Sequence, residues 1–205
     1  AAASAPADTM RPVVALPLQP VAGLLREGKA QEALARVAEA EAVGNLTPYE
    51  AMLIHRVRAE AAQVAKDDAL MARSLESALA TGKVPKAEEL NLVEVIISAA
   101  TRTRDYPRII QWAGRYFEMG GTNDAIRLLR IQAQMNGGQE ADALKALNER
   151  IAADEAANRA TPEQQLRWLL FLQGKVPNAG GKPALERLAV AYPRPEYWQN
   201  LVAEA

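Results

Sequence analysis

The side chains in this sequence that are able to do chemistry are few and widely spaced. His55 is the single histidine, the chain has no cysteine, and no serine stands at a spacing that pairs a nucleophile with this imidazole. The same isolation removes His55 as a metal ligand, because its neighbours supply none of the His, Cys or carboxylate spacings that ligate an ion. It reads as a polar residue of a surface or groove. The acidic pairs Asp67-Asp68 and Glu88-Glu89 fall at predicted helix starts, where the helix dipole favours negative charge without any catalytic task. Gly120-Gly121, Gly137-Gly138 and Gly180-Gly181 follow no strand and precede no Gly-Lys-Ser/Thr, so they are helix stops rather than phosphate loops. The sequence therefore predicts no catalytic residue, no metal and no cofactor. What remains is recognition chemistry, carried by arginines and by a polar stripe.

That stripe lies in residues 86–103. Leu90, Leu92, Val93, Val95, Ile96, Ile97, Ala99 and Ala100 make this predicted helix apolar on most of its surface. Asn91, Glu94, Ser98 and Thr101 fall at i, i+3, i+7 and i+10, which places them along one line of the helix. A helix so apolar is packed on most sides, and the stripe faces water or a ligand. Moving its first three positions forward by 36 residues reaches Arg127, Arg130 and Gln134. The backward step meets His55, Arg58 and Ala62, and a further forward step of 37 meets Gln164, Arg167 and Phe171. If these positions align, Arg58, Arg127, Arg130 and Arg167 face Glu94 alone, and the shared groove is locally basic. A planar guanidinium bonds two oxygens at once, so such a groove suits a carboxylate, phosphate or sulfate.

The elements that must position these residues are helical. Alanine supplies 42 of the 205 residues, with Leu, Glu, Arg and Gln prominent, and strand-like alternation is never sustained. Residues 1–16 carry Pro6 and Pro12 without helical periodicity and read as a flexible lead-in; one domain is expected over 17–205. Breaks at Gly28, Gly44–Pro48, Asp67-Asp68, Gly82–Pro85, Asp105–Pro107, Gly120, Gly137, Thr161-Pro162 and Gly180 leave about ten helices in five hairpins. The chain carries 24 basic and 25 acidic residues, so it lacks the footprint of a nucleic-acid binder, and no apolar run is long enough to span a membrane. Trp112, Tyr116 and Phe117, and separately Trp168 and Phe171, are expected in core packing.

Self-similarity separates a solenoid from a bundle. Ala33/Val37/Ala40, Met71/Leu75/Ala78 and Ile109/Ala113/Tyr116 repeat at a step of 38 residues, with a looser copy at Leu144/Leu147/Ile151. Each triplet sits on one helix face. With Gly28–Leu34 and Asp105–Ile110, which match the turn and second-helix start of the family, the chain resembles tetratricopeptide-repeat (TPR) proteins over roughly residues 20–160. The resemblance implies an all-α, right-handed solenoid of about five antiparallel hairpins whose first helices line a concave face. It also implies a non-enzymatic scaffold that docks a protein or peptide segment, an acidic one among the candidates. The closing Tyr192–Trp198 is similar to the ends of exported proteobacterial TPR-like proteins, and Trp198 is expected to cap the last hairpin. With the Ala-rich opening, composed like the residues just after a removed export signal, this predicts a periplasmic protein, envelope-anchored if a preceding segment carried an anchor. The alternative function is a carrier whose superhelix encloses a lipid, sterol or other oily ligand, with Phe171, Ile96 and Met135 in the wall and arginines at its polar end.

Overall fold

The computed structural model describes residues 8–180 and 183–204. Every regular element among them is an α-helix, and the chain forms two compact units that divide between Thr122 and Asn123. The first unit contains α1 (Pro12–Leu18), α2 (Val21–Arg26), α3 (Ala30–Ala42), α4 (Pro48–Val64), α5 (Asp68–Ala80), α6 (Lys86–Arg102) and α7 (Tyr106–Glu118). The second contains α8 (Asp124–Asn136), α9 (Glu140–Ala156), α10 (Glu163–Lys175), α11 (Ala184–Ala191) and α12 (Pro195–Glu204). Within each unit the packing is sequential. In the first, α1 and α2 lie on α3, and each helix from α3 to α7 packs on the next; in the second, α8 to α12 do the same.

The 38-residue recurrence is present in the backbone. Gly44, Gly82, Gly120 and Asn158 stand at steps of 38, and all four have positive φ. Gly28, Lys66 and Arg104 form a second such series. Each of these three ends a helix in the left-handed conformation, and the following amide closes the turn: Lys29 N–H donates to Leu24, Asp67 to Ala62 and Asp105 to Ala100. The next helix is then started by a side-chain cap, Asp67 accepting from Leu70 N–H and Asp105 from Arg108 N–H. The predicted triplets are all buried, from Ala33, Val37 and Ala40 through Leu144, Leu147 and Ile151. Core packing is thus the role of these repeated positions.

Two sequence expectations are corrected here. Residues 12–16, placed in a flexible lead-in, form the first turns of α1, and Val14 is fully buried against Val37, Ala40 and Ile54; residues 1–7 lie outside the described residues. The anchor is Glu50, a wholly buried carboxylate of α4. It accepts from the backbone N–H and Nε of Arg11 at 2.9 and 2.8 Å, and completes a capping box with Thr47. At the other end the buried aromatic is Tyr197, not Trp198, which is 51% exposed. Tyr197 donates its hydroxyl to Glu163 at 2.6 Å, and Arg194 donates to the other oxygen of that carboxylate. These two partners hold Glu163 below the usual carboxylate range. Trp168 is partly buried against the second unit's core, as expected, whereas Phe171 is exposed.

Arg11 holds the Glu50 carboxyl at about 2, against an ordinary 4.5. The ionised form is the stabilising one, so its contribution is complete above pH 4.5 and is lost as the pH falls from there toward 2. Glu50→Gln, which presents an amide to the Arg11 donors, is expected to destabilise by about 2 kcal/mol at pH 7 in urea titrations. The gap should close progressively below pH 4.5; a gap that persists at pH 2.5 refutes the charge-based anchor. Arg104, exposed and at φ 54, occupies a turn position that glycine fills in the equivalent Gly28. Arg104→Gly is expected to raise stability by about 0.5–1 kcal/mol, and a lowered melting temperature would show that this backbone is not strained.

Candidate functional site

The expected groove residues are distributed over both units, and Arg58, Glu94, Arg127 and Phe171 among them meet local partners. In α4, Arg58 donates to Glu41 of α3 and to His55 Nδ1 at 2.9 Å. Since a guanidinium only donates, this contact requires the neutral imidazole. Burial, followed by the Arg58 charge, depresses the His55 pKa accordingly. In α6, Asn91 and Ser98 are exposed as predicted, but Glu94 is half-buried and accepts from the Tyr116 hydroxyl of α7 at 2.9 Å. In α8, Arg127 is exposed, 3.8 Å from Asp124. Gln134 is 6% exposed, and its Oε1, like Arg130 Nε, is buried without a hydrogen-bond partner. In α10, Arg167 is exposed, and Phe171 is 46% exposed with Lys175 Nζ 5.8 Å from its ring centre.

The alignment behind a common basic stripe does not hold. Helices α4, α6 and α8 begin at 48, 86 and 124, a step of 38 where the comparison of polar residues used 36. Two residues amount to about 200° around a helix, so the compared side chains point to nearly opposite faces. The positions equivalent to Asn91, Glu94 and Ser98 are Leu53, Arg56 and Glu60 in α4, and Leu129, Gln132 and Asn136 in α8. Arg56 is ion-paired to Glu88 at 2.8 Å. This corrected series is mixed in charge, and the inward turn of Gln134 follows from the same rotation.

A better-formed site lies entirely within the first unit. Helices α5 and α7 both pack on α6, and between them runs an open cavity of about 590 Å³. Leu79 and Ala80 of α5, Val93 of α6, and Trp112 and Met119 of α7 supply its apolar lining. Glu76 of α5 bridges the two helices: its Oε1 accepts from Trp112 Nε1 and from Arg108 Nε, both at 2.7 Å. Arg108 also pairs with Asp105, the residue whose carboxylate caps α7. Glu89 pairs with Lys86 at 3.2 Å. Arg115 instead lies over the Trp112 ring, 4.7 Å from its centre.

Sequence reading kept Trp112 for the core, and it is 6% exposed. It missed Arg108, Gln111 and Arg115, which occupy i, i+3 and i+7 of α7 and form the polar edge of the cavity. The signal was there: α7 divides sharply into a buried face of Ile109, Trp112, Ala113 and Tyr116 and this polar one. Among the described residues no group of three or more His, Asp or Glu side chains is placed to hold a metal, and no helix is long and apolar enough to cross a membrane. Chemically, the arrangement offers an apolar slot with fixed hydrogen-bonding groups along one wall.

Comparison of the chain with family models, with curated proteins and with solved structures returns no match in any of the three.

Beyond the end of α7, Gly121 closely approaches the ring of Tyr116, which lies on the buried face of that helix. A Cβ at Gly121 would lie 2.3 Å from the Tyr116 ring, which is buried and tied to Glu94. Gly121→Ala is expected to destabilise by roughly 2 kcal/mol, read from urea denaturation, because the ring must leave its packed position. An unchanged midpoint would mean that Tyr116 is free to move.

Proposed function

We propose that this chain is a non-enzymatic docking module that holds a segment of a partner protein in the cavity between α5 and α7. One observation carries the reading: an apolar slot is bordered by Gln111 and Arg115 of α7, neither of which has a hydrogen-bond partner among the described residues. Gln111 is exposed on the cavity edge, and its amide has no hydrogen-bond partner among the described residues. Glu76 spends one carboxylate oxygen on Arg108 and Trp112, and its other oxygen has no donor among the described residues. An extended peptide offers main-chain N–H and C=O groups to such positions while an apolar side chain enters the slot. The lining carboxylates Glu76, Asp105 and Glu89 are each engaged by a cation, which speaks for recognition rather than acid–base catalysis.

The 38-residue recurrence supports a TPR-like solenoid of antiparallel hairpins as the scaffold for this site. The cavity opens between α5 and α7, two of the helices that carry the repeated triplets, and its lining also takes in Glu89 and Val93 of α6, one of the first helices assigned to a concave face. The resemblance to exported TPR-like proteins makes a cell-envelope partner the natural choice. The alternative is a carrier of a lipid or other oily ligand; of the wall residues it names, Ile96 is fully buried in α6, Met135 is partly buried and Phe171 is exposed.

Panning a display library of random 12-residue peptides on the full chain tests the proposal. Enriched peptides should bind wild type and lose at least about tenfold in affinity to Ala80→Tyr, which fills the slot from an exposed position and leaves the melting temperature unchanged. Failure to enrich any peptide, or equal binding to both proteins, would refute docking at this cavity.

A further inference from the structure

We infer that the docked segment is recognised through an aspartate or glutamate side chain that pairs with Arg115; this rests on the docking reading above and specifies its partner. The charges lining the cavity are unequally spent. Glu76 and Asp105 share Arg108, and Glu89 is paired with Lys86. Arg115 has no ion pair and no hydrogen bond to an acceptor among the described residues. It is thus the lining cation left without an acid, and a partner's carboxylate is the group that pairs with it.

The geometry favours a carboxylate over a diffuse acidic surface. The Arg115 guanidinium carbon lies 4.7 Å from the centre of the Trp112 ring, a cation–π contact that draws the exposed side chain over the ring. Trp112 cannot turn away, because its own Nε1 is bound to Glu76 and its ring is buried. The contact biases the guanidinium toward the cavity edge before the partner arrives, which lowers part of the ordering cost that a free surface arginine would incur. One turn earlier on the same helix stands Gln111, available to the main chain of the same segment. The apolar floor adjoins this edge, so an apolar anchor and an acidic side chain a few residues from it satisfy the site together.

The test measures, by fluorescence anisotropy, the binding of the most enriched 12-residue peptides to the full-length wild type, Arg115→Gln and Arg115→Glu, with thermal melts confirming the fold of each variant. The peptides are expected to carry Asp or Glu near their apolar anchor. Arg115→Glu should weaken them by about ten- to a hundredfold, the worth of a charge-assisted pair, and Arg115→Gln by less. Replacing the peptide acid with lysine should abolish binding to wild type and restore it to Arg115→Glu. The inference is overturned if peptides that Ala80→Tyr blocks bind Arg115→Glu within about threefold of wild type, or if the enriched residue is basic. An absence of slot-dependent peptides would sink the docking reading itself, and this inference with it.

Discussion

Packing consecutive helices on one another within each unit sets the terms for the rest of this structure. A helix of thirteen residues whose inner face is Ala33, Val37 and Ala40 buries too little to stand alone, so it must be folded back onto a neighbour at a fixed register. The fold solves this with one device used repeatedly: a left-handed residue at the helix end, an amide that reaches five residues back, and a capping group that launches the next helix. Gly28, Lys66 and Arg104 hold the first place in that device, and Asp67 and Asp105 hold the last. Because the device recurs at 38 residues, so do the buried triplets it brings inward. The two features are one constraint seen from the backbone and from the side chains.

The cavity is a product of that constraint. Alternate helices α5 and α7 are both laid on α6, and the space between them is spanned by side chains rather than filled by backbone. Glu76 is the span. By accepting from Trp112 and Arg108 together it ties α7 to α5, and the same bond fixes the ring on which Arg115 lies. Burying a carboxylate only partly, with two strong donors on one oxygen, avoids the desolvation cost of a fully interior ion pair. The contrast is Glu50, which is wholly interior and correspondingly surrounded: Arg11 and the Thr47 amide meet its two oxygens, and its role is to hold α1 in place.

How far the sequence disclosed this depends on which interaction decided each feature. Local chemistry was legible: Gly at helix ends, Asp and Thr at helix starts, and small residues at i, i+4 and i+7 all lie where elementary helix physics puts them. Burial of the Ala, Met, Ile and Leu triplets followed from the same spacing. The polar stripe was harder to place, because an error of two residues in the repeat length turns a side chain by about 200°, and Arg130 and Gln134 were moved to the wrong face by that margin. Tyr197 and Trp198 are adjacent, both amphipathic and both able to close an apolar face. Only the acceptor at Glu163, 34 residues away, decides which of them turns inward. Residues 12–16 looked like a lead-in because their anchor, Glu50, is equally remote in sequence.

The arginines make the same point about function. In the sequence all of them carry equal weight, since each is a charged residue on a helix. The fold ranks them by what they have already spent. Arg11, Arg102 and Arg194 have their guanidinium pKa raised, each chiefly by a hydrogen bond to one carboxylate, and Arg58 and Arg108 are likewise held by acids from neighbouring helices. Such residues serve the scaffold, and mutating them tests folding. Arg115 lies over the Trp112 ring and has no acid among the described residues. Beside cavity carboxylates that are each engaged by a cation, a guanidinium held over a buried ring without an acid is the group to which a partner's carboxylate fits.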